Sequence, residues 1–132
     1  MGEGAPQSGR LILFCKYPTP GEVKTRLIPA IGAEGAADLQ RSLILRTLAE
    51  LRTAAEPSKT PIEIRYAGAT AAQFTAFLGD GLRFAAQGAG DLGERMSHAF
   101  RSAFDAGVSK AVLVGADIPE EGWERIRGRI AI

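Results

Sequence analysis

The sequence contains a single cysteine, Cys15, and a single histidine, His98. One cysteine cannot form a disulfide within the chain, and an unpaired thiol is typical of proteins in a reducing cytoplasm. With one residue of each type, the usual zinc sites built from cysteine and histidine are excluded. Cys15 lies within an apolar segment and His98 within a helical pattern, so we interpret the cysteine as a core residue and the histidine as structural.

The sequence also lacks a strong charge and a long apolar run. Its 16 basic and 15 acidic residues give a net charge of +1, which provides no reason to expect nucleic acid or a membrane surface as partner. No apolar run approaches the roughly 20 residues that span a bilayer, and the start, MGEGAPQSGR, lacks the apolar segment of a signal peptide. We therefore expect a cytoplasmic protein with a disordered tail over residues 1–9 and one globular domain over residues 10–132.

Strand and helix patterns alternate along the chain. Four apolar segments predict strands: residues 10–16, 61–68, 82–87 and 111–117. Helical periodicity separates them, first from Gly32 to about Ala55, then behind two capping boxes, Thr70 with Gln73 and Asp91 with Glu94. This alternation predicts an α/β protein, a Rossmann-like three-layer α/β/α fold with a mostly parallel sheet.

The apolar periodicity also predicts which side of two helices is buried. The expected buried stripe of the first helix is Leu39, Leu43, Ile44, Leu48 and Leu51. The expected stripe of the third helix is Leu92, Met96, Ala99, Phe100 and Ala103.

The first strand is followed by the segment KYPTPGEVKTRL, residues 16–27. Ligands of open α/β sheets bind beyond the carboxyl ends of the strands, where such loops lie. Two prolines stiffen this loop, and Lys24 and Arg26, just ahead of a helix, suit an anion with several oxygens, such as a di- or triphosphate. Spacing alone leaves open a solvated turn whose cations pair with Glu22. Neither a Walker A motif nor GxGxxG occurs in the chain.

Two further polar loops follow predicted strands. QGAGDLGERM, residues 87–96, is rich in glycine and leads into a helix, which suits a ligand held close to the backbone; a helix start capped by Asp91 and Glu94 explains both acids equally well. VGADIP places Asp117 at the edge of the sheet. Because Mg²⁺ takes one or two protein carboxylates beside phosphate oxygens, Asp117 suits a metal ligand, with a helix N-cap as the alternative.

Taken together, KYPTPGEVKTRL, IGAEGAADLQRSL, GDLGERM and VGADIP, in this order, resemble the GT-A-like transferases known as selenodomain-associated transferases. These are related to the guanylyltransferase that activates phospholactate. The resemblance covers about residues 10–119 and implies a nucleotide-diphospho-sugar transferase fold, transfer of a glycosyl or nucleotidyl group from a nucleotide or nucleotide-sugar, and Mg²⁺ or Mn²⁺. It implies Asp117 as metal ligand, and as nucleotide or phosphate contacts Lys16, Pro20, Gly21, Lys24, Thr25, Arg26, Gln87, Gly88, Asp91 and Glu94.

The family pattern continues well past the position of Asp117 with a segment that helps to form the acceptor side, whereas this sequence ends at Ile132. We therefore expect the nucleotide half without the acceptor half, and an inactive nucleotide-binding or interaction module is the alternative to an enzyme. The last strand would have an unpaired edge, so we expect a homodimer joined edge to edge or by exchange of the helix EEGWERIRGRI. If that helix covers the edge instead, the protein is a monomer.

Overall fold

The computed structural model describes residues 9–116. Within them, strands and helices alternate as predicted: β1 Gly9–Lys16, α1 Ile28–Ala55, β2 Ile62–Ala67, α2 Ala71–Leu78, β3 Arg83–Ala86, α3 Leu92–Asp105 and β4 Lys110–Gly115. Short 3₁₀ turns at Thr25–Leu27 and Glu56–Ser58 lie at the two ends of α1. Gly32 has a non-helical φ of 80° and kinks α1, so the regular part of the helix begins after Gly32, as the pattern indicates.

The four strands form one parallel sheet in the order β3-β2-β1-β4. Residues of α1 and α2 pack on one face of this sheet and residues of α3 on the other. The predicted Rossmann-like α/β/α fold is therefore confirmed. None of the described helices is both long and apolar enough to cross a membrane.

β1 is buried on both faces because it lies inside the sheet. Leu11 and Leu13 belong to the core with α1 and α2, whereas Ile12 and Phe14 pack against Ala99 of α3 and its neighbours. Such two-sided burial requires a continuous apolar run rather than an alternating one. The segment LILFC meets that requirement and specifies β1 as a central strand.

The buried side of α1 differs from the predicted stripe because polar side chains occupy part of it. Leu39 is exposed, while Gln40 and Thr47 are buried. Gln40 Nε2 donates to the carbonyl oxygen of Lys16 at 3.0 Å, and Thr47 Oγ1 donates to that of Ala116 at 2.8 Å. These bonds satisfy carbonyls at the ends of β1 and β4, which offsets the cost of burying polar groups.

The stripe of α3 is correct except at its first residue. Ala99 and Ala103 are buried, whereas Leu92 is 55% exposed. Leu92 lies in the first turn of α3, directly after the loop from β3, and the buried contacts of α3 with the sheet begin at Met96.

A charged cluster is buried on the face of the sheet that carries α3. Glu63 Oε1 accepts a hydrogen bond from Arg10 Nη1 at 2.9 Å, and Glu63 Oε2 accepts one from Arg65 Nε. The side chains of these three residues are at most 5% exposed. Two buried guanidinium groups thus share one carboxylate, and Arg10 Nε has no hydrogen-bond partner among residues 9–116.

Replacing Glu63 by glutamine is expected to destabilise the fold strongly. The substitution keeps the shape of the side chain but leaves two buried cations without an opposite charge, which costs roughly 3–5 kcal/mol of unfolding free energy. Arg83→Ala is the control, because Arg83 is 60% exposed and lies 4.0 Å from Glu63, a pair worth about 0–1 kcal/mol. Chemical denaturation measures the unfolding free energy of both variants. Equal losses of unfolding free energy would show that the buried cluster stabilises the fold no more than a surface ion pair does.

Candidate functional site

The strand order changes direction between β1 and β4. The chain proceeds from β1 to β2 and β3 on one side, then returns to place β4 on the other side of β1. Phe14 and Gly115 are paired in the register of these two strands, so both strands end close together. Ligands of open α/β sheets bind at such a switch point, beyond the carboxyl ends of the strands.

The loop over residues 17–27 follows β1 at this point. Hydrogen bonds and a buried side chain hold it in place. Tyr17 N donates to the carbonyl of Ala67 at 2.9 Å, and Glu22 N donates to that of Thr19 at 3.0 Å. Val23 is buried. The loop is therefore fixed by an anchor in the core as well as by its two prolines, Pro18 being buried and Pro20 exposed.

Lys24 and Arg26 lie together in one cavity. Lys24, Thr25, Arg26 and Leu27 line a cavity of about 470 Å³. Lys24 has a left-handed backbone, with φ 50°, and the 3₁₀ turn follows it. A left-handed residue ahead of a helical turn directs successive backbone N–H groups into one concavity that suits an anion. Neither cation has an ion pair within the described residues, so the predicted alternative of pairing with Glu22 is absent there.

Two other residues predicted as ligand contacts, Lys16 and Gly21, contribute to the conformation of this loop. Lys16 Nζ donates to the carbonyl of Glu22 at 3.1 Å, which closes the loop on the end of β1. Gly21 has a φ of 87°, a conformation that glycine adopts without strain. Both residues are exposed, and their roles as ligand contacts remain predictions.

Gln87 ties the loop between β3 and α3 to the centre of the sheet. Its backbone N–H donates to the carbonyl of Tyr66 at 2.9 Å. The side-chain Nε2 donates to the carbonyls of Arg65 at 3.1 Å and Cys15 at 3.5 Å, and Oε1 accepts from Arg95 Nη1 at 2.6 Å. Gln87 thus reaches Cys15 near the end of β1, and its side-chain amide is engaged within the protein.

Asp91 and Glu94 form the capping box that the sequence predicts. Asp91 Oδ1 accepts from the backbone N–H of Glu94 at 2.8 Å, and Glu94 Oε1 accepts from that of Asp91 at 2.9 Å. Gly88 and Gly90 have φ of 88° and 103°. A Cβ at Gly90 would lie 2.8 Å from Glu94 Oε1, so the capped loop requires glycine there.

A cavity of about 670 Å³ adjoins this loop. Its lining consists of Gln87, Gly88, Ala89, Asp91, Gly93, Glu94, Ser97, His98 and Arg101. His98 is exposed and thus lines a cavity rather than filling the core. The sequence gives a signal for this arrangement, since Glu94, His98 and Arg101 recur at helical spacing on one face of α3.

The predicted metal ligand, Asp117, lies outside the described residues. Within residues 9–116 no group of three or more histidine, cysteine, aspartate or glutamate side chains could hold a metal ion. Mg²⁺ bound to a nucleotide needs only one or two protein carboxylates.

Cys15 is a core residue, as interpreted from the sequence. It is 4% exposed, and burial raises the pKa of its thiol to about 12. Since the thiolate is the nucleophilic form, Cys15 does not act as a nucleophile at neutral pH.

The comparisons with known proteins agree with the fold. Residues 47–128 match the profile of a family described as an uncharacterized protein conserved in bacteria, DUF2064. A crystal structure of a protein from Desulfovibrio desulfuricans G20, classed as a nucleotide-diphospho-sugar transferase, is 36% identical with a TM-score of 0.79. The match covers 94% of this chain and 53% of that one, so the chain spans about half the length of this relative.

No protein of curated function matches the sequence. The family match covers more than half of the chain, and the solved relative shares the fold over nearly all of it. The chain belongs to the DUF2064 family and to the GT-A-like, nucleotide-diphospho-sugar transferase-like group that its sequence resembles.

Proposed function

We propose that the chain binds a nucleotide or a nucleotide-sugar at the carboxyl edge of its sheet, as the donor in the transfer of a nucleotidyl or glycosyl group. The observation that carries the proposal is the pair Lys24 and Arg26, which line one cavity at the end of β1 without ion pairs in the described part of the chain. The transferase class of the solved relative supports the same reaction type.

The arrangement suits diphosphate chemistry because it supplies positive charge and backbone donors from a fixed loop. Lysine and arginine bind phosphate through charge-assisted hydrogen bonds. A loop that is already ordered, with Val23 buried beneath it, loses little conformational entropy when the ligand binds. Group transfer of this kind needs positioned substrates and neutralised phosphate charge rather than a nucleophilic side chain, in keeping with the buried thiol of Cys15.

A divalent cation, Mg²⁺ or Mn²⁺, completes the proposed site. Asp117 follows β4 by two residues in the sequence, and β4 ends beside Phe14 of β1. When bound, the metal would neutralise charge on the donor phosphates. The residues of the protein bind and orient those phosphates.

Nucleotide binding without transfer is the second candidate function. The chain spans about half of its solved relative, so nucleotide binding is proposed here separately from transfer. Release of the nucleoside diphosphate from a nucleotide-sugar, measured beside binding, separates an active glycosyltransferase from a binding module.

We also propose that the protein associates through β4. Within residues 9–116, β4 pairs with β1 only, and its residues Ala111, Val112 and Leu113 are half-buried and apolar. An apolar strand with a free edge is a template for pairing with a second copy.

The first test concerns the two cations. Lys24→Ala and Arg26→Ala are each expected to weaken binding of a nucleoside diphosphate by about 1.5–3 kcal/mol, because each loses a hydrogen bond to a charged group. Isothermal titration with UDP and GDP in the presence of Mg²⁺ measures this. Lys59→Ala is the matched control, since Lys59 is also a left-handed lysine, with φ 53°, but follows α1 at the opposite edge of the sheet. Unchanged nucleotide affinity in both site variants would contradict phosphate binding by Lys24 and Arg26 and favour the alternative of a solvated turn.

The second test concerns the metal. Mg²⁺ and the nucleotide are each expected to tighten the binding of the other, because energetic coupling between two ligands is reciprocal. Asp117→Asn is expected to remove this coupling and to preserve the melting temperature without ligand. Nucleotide affinity that is the same in Mg²⁺ and in EDTA would exclude the metal role.

The third test concerns association. Light scattering after size exclusion is expected to give a mass near twice the 14.0 kDa of the chain, falling towards the monomer on dilution. A mass of one chain at every concentration would contradict pairing through β4.

A further inference from the structure

Arg95, in the first turns of α3, is a half-buried cation that forms no ion pair with a carboxylate in the described part of the chain. Its Nη1 donates to Gln87 Oε1 at 2.6 Å, and its Nε donates to the carbonyl of Asp91 at 3.4 Å. A guanidinium group has five N–H donors, so these two bonds leave three unused among the described residues. Both acceptors are neutral, and the positive charge is therefore not compensated by its bonded neighbours.

The nearest acidic side chains in the sequence are engaged elsewhere. The carboxylates of Asp91 and Glu94 accept backbone N–H groups in the capping box of α3. No ion pair joins either of them to Arg95 within residues 9–116. The carboxylates nearest to Arg95 in the sequence are thus used in the cap of α3, and its guanidinium group has no anionic partner within residues 9–116.

Gln87 holds Arg95 in place. Gln87 is buried, and its amide nitrogen is fixed by the carbonyls of Arg65 and Cys15. Its oxygen therefore has a defined direction, and the short bond to Arg95 Nη1 fixes the guanidinium group in turn. A cation held in this way loses little side-chain entropy on binding an anion.

The same contacts connect Arg95 with the proposed phosphate loop. Gln87 touches the carbonyl of Cys15, the residue before Lys16, and Lys16 Nζ contacts the carbonyl of Glu22, two residues before Lys24. Arg95 is thus linked through Gln87 to Cys15, the penultimate residue of β1, from the layer of α3. Lys24 and Arg26 precede α1, which packs on the opposite face of the sheet.

We propose that Arg95 is a third cation of the phosphate site and that Gln87 is its positioning residue. The ligand group is the diphosphate of the donor, so the inference rests on the proposed function. Arg95 donates its free N–H groups to phosphate oxygens, and Gln87 acts only through Arg95 and through the loop that it anchors.

Titrations with inorganic pyrophosphate and with UDP, each in Mg²⁺, test the role of Arg95. Arg95→Ala is expected to raise the Kd for both probes at least tenfold, about 1.4 kcal/mol, because the lost contact is to phosphate and not to the base. Arg95→Lys, which keeps the charge, is expected to recover part of the affinity. Arg52→Ala is the control, since Arg52 is an exposed arginine at the end of α1.

A double-mutant cycle tests the role of Gln87. Gln87→Ala is expected to weaken binding, and in its background Arg95→Ala is expected to cost several-fold less than in the wild type, because the guanidinium group is no longer held. A merely structural Gln87 would leave the cost of Arg95→Ala unchanged. Melting temperatures without ligand show which variants fold, and Arg95→Gln replaces Arg95→Ala if the latter does not.

The outcomes separate the inference from the function on which it rests. Wild-type affinity in Arg95→Ala overturns the role of Arg95 and leaves the proposed function standing. Absence of binding by the wild-type protein overturns both. A loss confined to UDP, with pyrophosphate unaffected, contradicts a phosphate contact.

Discussion

β1 pairs with β2 on one side and with β4 on the other, in register along most of its length. This central position fixes where the chain changes direction across the sheet, and therefore where two loops can meet beyond parallel strand ends. The run LILFC is apolar on every residue because both faces of β1 are covered. The place of the proposed site thus follows from the burial of one strand.

Buried amide and hydroxyl groups hold the loops and helices in place at the carboxyl edge of the sheet. Gln40 and Thr47 donate to carbonyls at or just beyond the ends of β1 and β4, and Gln87 donates to carbonyls of β2 and β1 near their carboxyl ends. Each bond removes an unsatisfied backbone group and also holds a loop or helix against the sheet. The loops are consequently ordered before a ligand arrives, which lowers the entropic cost of binding. The same residues therefore stabilise the fold and order the loops of the proposed site.

The sequence predicts those features that depend on neighbours along the chain. The strands, the helix boundaries and both capping boxes are found where local patterns place them. Features that depend on contacts between distant segments cannot be predicted in this way. Glu63 and Arg65 are charged residues at alternate positions of β2, a pattern typical of a strand face exposed to solvent. They are buried because Arg10, from β1, forms an ion pair with Glu63. Leu39 is exposed for the same reason, since Gln40 takes the inner position to reach Lys16. The contact between Gln87 and Arg95 likewise cannot be predicted without knowing that α3 packs beside β1.

The central claim is the proposal that a nucleotide binds beyond the carboxyl end of β1, at the edge of the sheet where the loops that contain Lys24 and Gln87 lie. Mapping of backbone amide chemical shifts by NMR, with UDP and Mg²⁺ titrated into ¹⁵N-labelled protein, tests it most directly. The account predicts shifts concentrated in residues 17–27 and 87–95, with residues 56–61 and 79–83 at the opposite edge unaffected. Shifts centred on the opposite edge, or none at saturating nucleotide, would contradict it.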